Sequence, residues 1–168
     1  MIMGMTKGFW IRYIIILIIC VIITTLVNVY VLGFAIIDGT SMQPTVDTGE
    51  IILVNKVVTS YDRFDVVIIE LPQIKIIKRI IALPGETVQI VDGYIYINGD
   101  RTQDVVDEEI EFAGLAIEPI VLGVGEYFVL GDNRADSADS RYESVGIIRR
   151  EQIIGRATVS IVPLKKLK

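Results

Sequence analysis

Two residues of this chain have the types and settings that catalysis needs. Ser41 lies in the polar turn DGTSMQPT (38–45), between Gly39 and Pro44, directly after a long aliphatic run. A serine hydroxyl is a weak nucleophile and needs a neighbour to take its proton. The usual partner is histidine, and the chain contains none, so a Ser-His-Asp triad is excluded. Lysine can serve only when held neutral, which requires burial away from water without a strong carboxylate partner. The stretch IKIIKRIIAL (74–83) offers one. Side chains alternate along a strand, so Ile74, Ile76, Lys78, Ile80 and Ala82 share one face and Lys75, Ile77, Arg79, Ile81 and Leu83 the other. The second face is mixed and can be wet. On the first, Lys78 is the only polar group, and desolvation there depresses its pKa toward a usable neutral fraction. A lysine that snorkels to a rim and stays charged fits the same pattern. The strand by itself leaves both readings open.

These two residues need elements to carry them. From Tyr13 to Ile37 no residue is charged and Ile, Val and Leu dominate. A helix rising about 1.5 Å per residue crosses the hydrocarbon core in about 20 residues. Lipid forces the backbone to satisfy its own hydrogen bonds, so β-branched residues do not prevent a helix there. A transmembrane helix is therefore expected over 13–37. A cleaved leader has a shorter apolar core and a small-residue cleavage site, which VLGFAIIDG does not offer. Lys7 and Arg12 precede the run, and Asp38, Asp47 and Glu50 follow it. The positive-inside bias places residues 1–12 in the cytoplasm and 38–168 outside it. Phe9, Trp10 and Tyr13 suit the inner interface, and Tyr30 and Phe34 the outer.

After Gly39 the pattern turns to short β-branched runs: EIILVNKVV (50–58), DVVIIEL (65–71), 74–83, ETVQIV (86–91), EYFVLGDN (126–133) and IIGRATVSIVPL (153–164). Asp92-Gly93 predicts a type I′ hairpin turn. The expected fold is mainly β: an N-terminal transmembrane helix, then a domain of antiparallel sheets. Hydrophobic residues make up 52% and mean hydropathy is +0.56, with the excess near the start. Net charge is −5 and no aromatic–basic interleaving occurs, which points away from a nucleic-acid partner. Cys20, the single cysteine, can form no internal disulfide and reads as a small hydrophobe. Asp107, Glu108, Glu109 and Glu111 read as a solvated face; no metal site and no cofactor is expected.

Four stretches, GTSMQPT (39–45), YDRFDVVII (61–69), KRIIALPGE (78–86) and GDNRADSADSR (131–141), resemble the signature boxes of bacterial type I signal peptidases, in the family's order and behind a membrane span. The resemblance is to the Gram-positive-like form with a single span. It implies a membrane-bound serine endopeptidase that removes signal peptides from exported pre-proteins through an acyl-enzyme. By match to the boxes, Ser41 is the nucleophile and Lys78 the general base. Ser137 is the hydroxyl that orients the lysine amine, and Asp132, Arg134, Asp139, Ser140 and Arg141 brace that region. The eukaryotic relative carries histidine where this chain has lysine.

Gly39 departs from Gram-negative members, many of which place an oxyanion-binding serine there. The Ser41 N–H remains as a donor, and the second donor is open. Met42, Ile76 and Ile77 are the candidate substrate-binding residues. Residues 99–125 lack the long insertion and cysteine pair of larger members and form a minimal secondary lobe. The implied partners are signal-peptide-bearing pre-proteins, the lipid bilayer and, as a further candidate, the protein-export translocon. A self-cleaving Ser-Lys repressor would carry a DNA-binding domain in place of residues 1–37. A membrane-tethered β domain that binds a partner without catalysis is the alternative of another class.

Overall fold

The structure, a computed structural model, describes residues 7–106 and 109–167. Expectations placed on residues 1–6, on the side chain of Lys7 and on Asp107 and Glu108 lie outside the described residues.

The aliphatic run is divided between a helix and a strand. Helix α1 covers Lys7–Leu26 and ends in a π turn at Val27–Val31. Gly8–Val31, 24 residues, is long and apolar enough to cross a membrane, and none of it is buried in the rest of the chain. Strand β1 then takes Leu32–Ile36. The helix expected over 13–37 thus starts earlier and stops short. A uniformly apolar run has no periodicity to mark the change. What ends the helix is β2 (Ile51–Asn55), whose edge pairs with β1 from Leu32↔Asn55 to Ile36↔Ile51.

The remaining strands follow the β-branched runs: β3 (Val66–Glu70), β4 (Lys75–Ala82), β5 (Thr87–Val91), β6 (Tyr94–Ile97), β7 (Asp100–Arg101), β8 (Ile120–Val121), β9 (Glu126–Leu130), β10 (Ile148–Arg149), β11 (Ile153–Val162) and β12 (Leu164–Lys166). Every pairing is antiparallel. The main sheet runs β1-β2-β11-β3-β4-β9-β10, with β12 folded back on β11. The strand expected over 153–164 breaks at Pro163, which has no N–H for the ladder. The second sheet runs β7-β6-β5-β8. Its β5–β6 turn has positive φ at Asp92 (48°) and Gly93 (80°), as a type I′ turn requires. Residues 99–125, expected to form a secondary lobe, thus supply β7 and β8 to a sheet whose other strands, β5 and β6, precede them.

Strand β4 lies between β3 and β9, and from Ile77 to Ala82 every residue is buried. The face expected to be wet is dry from Ile77 to Ile81, while Lys75 at its start is exposed. Ile77 packs with Met42 and Ile68, Ile80 with Val67 and Val129, and Ile81 with Val88 and Leu130. The alternation failed as a guide because this strand has core on both sides, and a bulge between Ile80 and Ala82 shifts its phase.

Candidate active site

Ser41 is presented by the loop between β1 and β2. Ile37 N donates to Glu50 O (3.0 Å) and Gly49 N to Ile37 O (2.8 Å), which closes the loop at its base. Met42 and Val46 hold it down, both buried in the cluster of Ile52, Ile68 and Ile77. The Ser41 carbonyl accepts from Asn133 N at 3.1 Å, tying this loop to the turn after β9. The Ser41 N–H donates to no protein acceptor among the described residues.

Lys78 is 3% exposed and its Nζ lies 2.7 Å from Ser41 Oγ. A lysine snorkelling to a rim is thereby excluded. Burial pushes its pKa down from 10.5 to about 8, against upward pulls from the Asp139 and Asp132 carboxylates. Those carboxylates are already committed. Asp132 accepts from Arg79 Nε (2.7 Å) and Nη2 (2.5 Å). Asp139 accepts from Arg141 Nε (2.8 Å) and Nη2 (2.9 Å), and from Gly131 N (3.0 Å). Among the described residues no cluster of three or more His, Cys, Asp or Glu could hold a metal ion.

The turn after β9 must come very close to the serine. A Cβ at Gly131 would press on Ser137 Oγ and lie 2.5 Å from the Ser41 carbonyl oxygen. The second of these is backbone and cannot swing aside. Gly131→Ala is therefore expected to shift Ser41 and lower kcat/KM about 10²-fold in a protein that still folds. A variant within about threefold of the parent would mean that the two loops move freely past each other.

A family model described as "Signal peptidase, peptidase S26" matches residues 10–162. The chain belongs to the signal peptidase family, peptidase S26. By that membership it is a serine peptidase. Signal peptidase I T of Bacillus subtilis (strain 168) is 34% identical over 90% of this chain and 85% of its own length. Signal peptidase I of Bacillus licheniformis is 33% identical over 95% and 90%. A crystal structure of a signal peptidase I from Enterococcus faecalis V583 superposes with a TM-score of 0.50 at 31% identity, over 60% of this chain and 99% of that one.

The structure brings Ser41 and Lys78 into contact and places Gly39, Ser137 and the 132–141 stretch around them. The expectations for Ser137, Met42 and Ile77 change. No hydrogen bond joins Ser137 to Lys78; the lysine amine is aimed at Ser41, and Ser137 Oγ is buried with no partner among the described residues. Met42, 1% exposed, fills core rather than lining a groove, as does Ile77. Of the proposed substrate-binding residues only Ile76 is half-buried at the surface. Gly39 has φ +125°, a backbone setting in which a side chain is strained, so a serine donor does not fit this turn as built. Its carbonyl accepts from Thr48 Oγ1 at 2.8 Å.

The rest of the stretch contacts structure. Ser140 continues the β9 ladder: its Oγ accepts from Val129 N and its own N–H donates to Val129 O. Arg134 Nη1 lies 2.7 Å from Asp104 Oδ2, which joins the segment after β7 to the turn after β9. Sequence reasoning missed Arg79, Asp104 and Gly131. A guanidinium inside an apolar run was the available signal for Arg79; nothing local marks Asp104.

Proposed function

We propose that this peptidase is held in a membrane by α1, with its N-terminus in the cytoplasm and residues 38–168 outside as the catalytic domain. It cleaves signal peptides from exported pre-proteins, with Ser41 as nucleophile and Lys78 as general base. The observation that carries this reading is a buried amine, with no carboxylate partner among the described residues, 2.7 Å from the serine oxygen. The neutral amine takes the Ser41 proton as Oγ attacks the scissile carbonyl. The ammonium then returns that proton to the leaving amine, and an acyl-enzyme forms. Lys78 next takes a proton from water, which attacks the ester, and the ammonium returns that proton to Ser41 Oγ as the acyl–oxygen bond breaks.

Supporting geometry lies on either side. The unpaired Ser41 N–H is an available oxyanion donor. Strand β9 ends at Leu130, opposite Arg79, so β4 before Arg79 keeps one edge free. An extended substrate can add to that edge by backbone pairing beside Ile76. Asp132, Arg134, Asp139, Ser140 and Arg141 brace the turn that meets Ser41. The bilayer confines enzyme and substrate to one surface near the protein-export translocon.

Incubating the full chain in detergent with a labelled pre-protein should yield one new N-terminus, directly after an Ala-x-Ala sequence, by mass spectrometry. Because only neutral Lys78 acts, kcat/KM should rise with pH and reach half its plateau near pH 8. A profile flat between about pH 6 and 9 would remove Lys78 from the base role.

A further inference from the structure

Lys56 fastens the end of α1 to the catalytic sheet, beside the β1–β2 pairing. The last carbonyls of a helix have no partner within it. Lys56, immediately after β2, supplies three bonds: its N–H donates to Val31 O (2.9 Å), and its ammonium donates to Asn28 O (3.1 Å) and Val29 O (3.2 Å). This is also the pole of a helix at which a cation is favoured. Gly33 makes the room. A Cβ there would lie 2.7 Å from Lys56 Cε and 3.3 Å from Nζ. No slack residue intervenes, because Leu32, next after the π turn, already pairs with Asn55. The loop bearing Ser41 leaves the far end of the same strand. A five-residue strand spans about 17 Å, so β1 acts as a spacer between helix end and nucleophile.

We propose that Lys56 is a positioning residue: it locks α1 against the sheet and so sets the height of Ser41 over the bilayer, where a membrane-borne substrate presents its scissile bond. The proposal rests on the reading of the chain as a membrane-anchored signal peptidase. A soluble peptide is not confined to the bilayer and does not sense that height. Loosening the joint therefore affects one substrate and spares the other. Gly33→Ala is the companion to Lys56→Met, since the added methyl meets the flexible end of Lys56 and not backbone.

The test uses the full chain reconstituted in phosphatidylcholine–phosphatidylglycerol vesicles with an inserted pre-protein, beside a short Ala-x-Ala peptide in detergent. Lys56→Met and Gly33→Ala are expected to cut the peptide within about twofold of the parent, but the vesicle-borne pre-protein about 10-fold more slowly. Lys56→Arg, which keeps a cationic donor, should restore most of that loss. Parental rates on the vesicle-borne substrate would overturn the proposal. Equal losses on both substrates would overturn it too, by making Lys56 a general support of the fold. If the parent chain itself leaves the pre-protein uncut, the functional reading falls first, before any variant is compared.

Discussion

Replacing Lys78 with methionine is expected to abolish cleavage and to raise the melting temperature together. The amine is the base for Ser41, so kcat/KM should fall by at least about 10³-fold. Stability moves the other way. Folding pushes the Lys78 pKa below its ordinary value, to about 8, because the charged form loses its water. Below about pH 8 the folded protein must carry a buried ammonium, and the penalty is fully present. Between there and the unfolded value of 10.5 the unfolded chain binds more protons, so stability rises with pH. Above that window the penalty is gone. A depression of about 2–3 units is worth about 3 kcal/mol, or about 5–10 °C in Tm for a domain of this size. Methionine fills similar volume without charge and leaves no carboxylate bare, since Asp132 and Asp139 are paired to Arg79 and Arg141. The Tm gap between variant and parent should be widest at neutral pH and close as pH approaches 10.5. Ser41→Ala should match the loss of activity with no such gain in Tm. A Lys78→Met protein less stable than its parent at pH 7 would contradict a desolvated amine, whatever its activity.

The sequence showed the strands that alternate and the turns that carry Asp-Gly or Pro, because those signals are local. It did not show where the helix stops. Val27 to Ile36 is apolar enough for either structure, and the decision lies with the edge of β2. Lys78 stood out as a polar residue in an apolar row, yet its state was open. Its burial depends on the Ser41 loop and on β9, whose pairing with β4 no pattern in 74–83 contains. Arg79 was misplaced for the same reason. Its partner Asp132 is 53 residues away, and alternation alone put it in water. Ser137 and its neighbours could be located only through resemblance. In isolation they read as turn formers, and the close approach that makes Gly131 necessary is a tertiary fact.

Removing the Asp132 carboxylate is expected to destabilise the fold strongly. Arg79 is 1% exposed, and its guanidinium makes two bonds to Asp132 and one to Phe64 O at 2.8 Å. Arginine does not lose its proton in a protein, so Asp132→Ala leaves a buried cation with no countercharge. Breaking one side of such a pair costs about 3–5 kcal/mol, a large share of a small domain's stability. Replacing both partners removes the stranded charge, so Arg79→Met/Asp132→Leu should recover most of the loss in urea or thermal unfolding. The double variant also separates support from electrostatics. Asp132 pulls the Lys78 pKa upward, so its removal lets that pKa fall further. The double variant should therefore reach half-maximal rate at a lower pH than the parent, even with its fold restored. An unchanged midpoint would mean that Asp132 holds Arg79 and does nothing to the amine. A single Asp132→Ala variant as stable as the parent would mean that water reaches Arg79, and the dry wall that keeps Lys78 neutral would then be open as well.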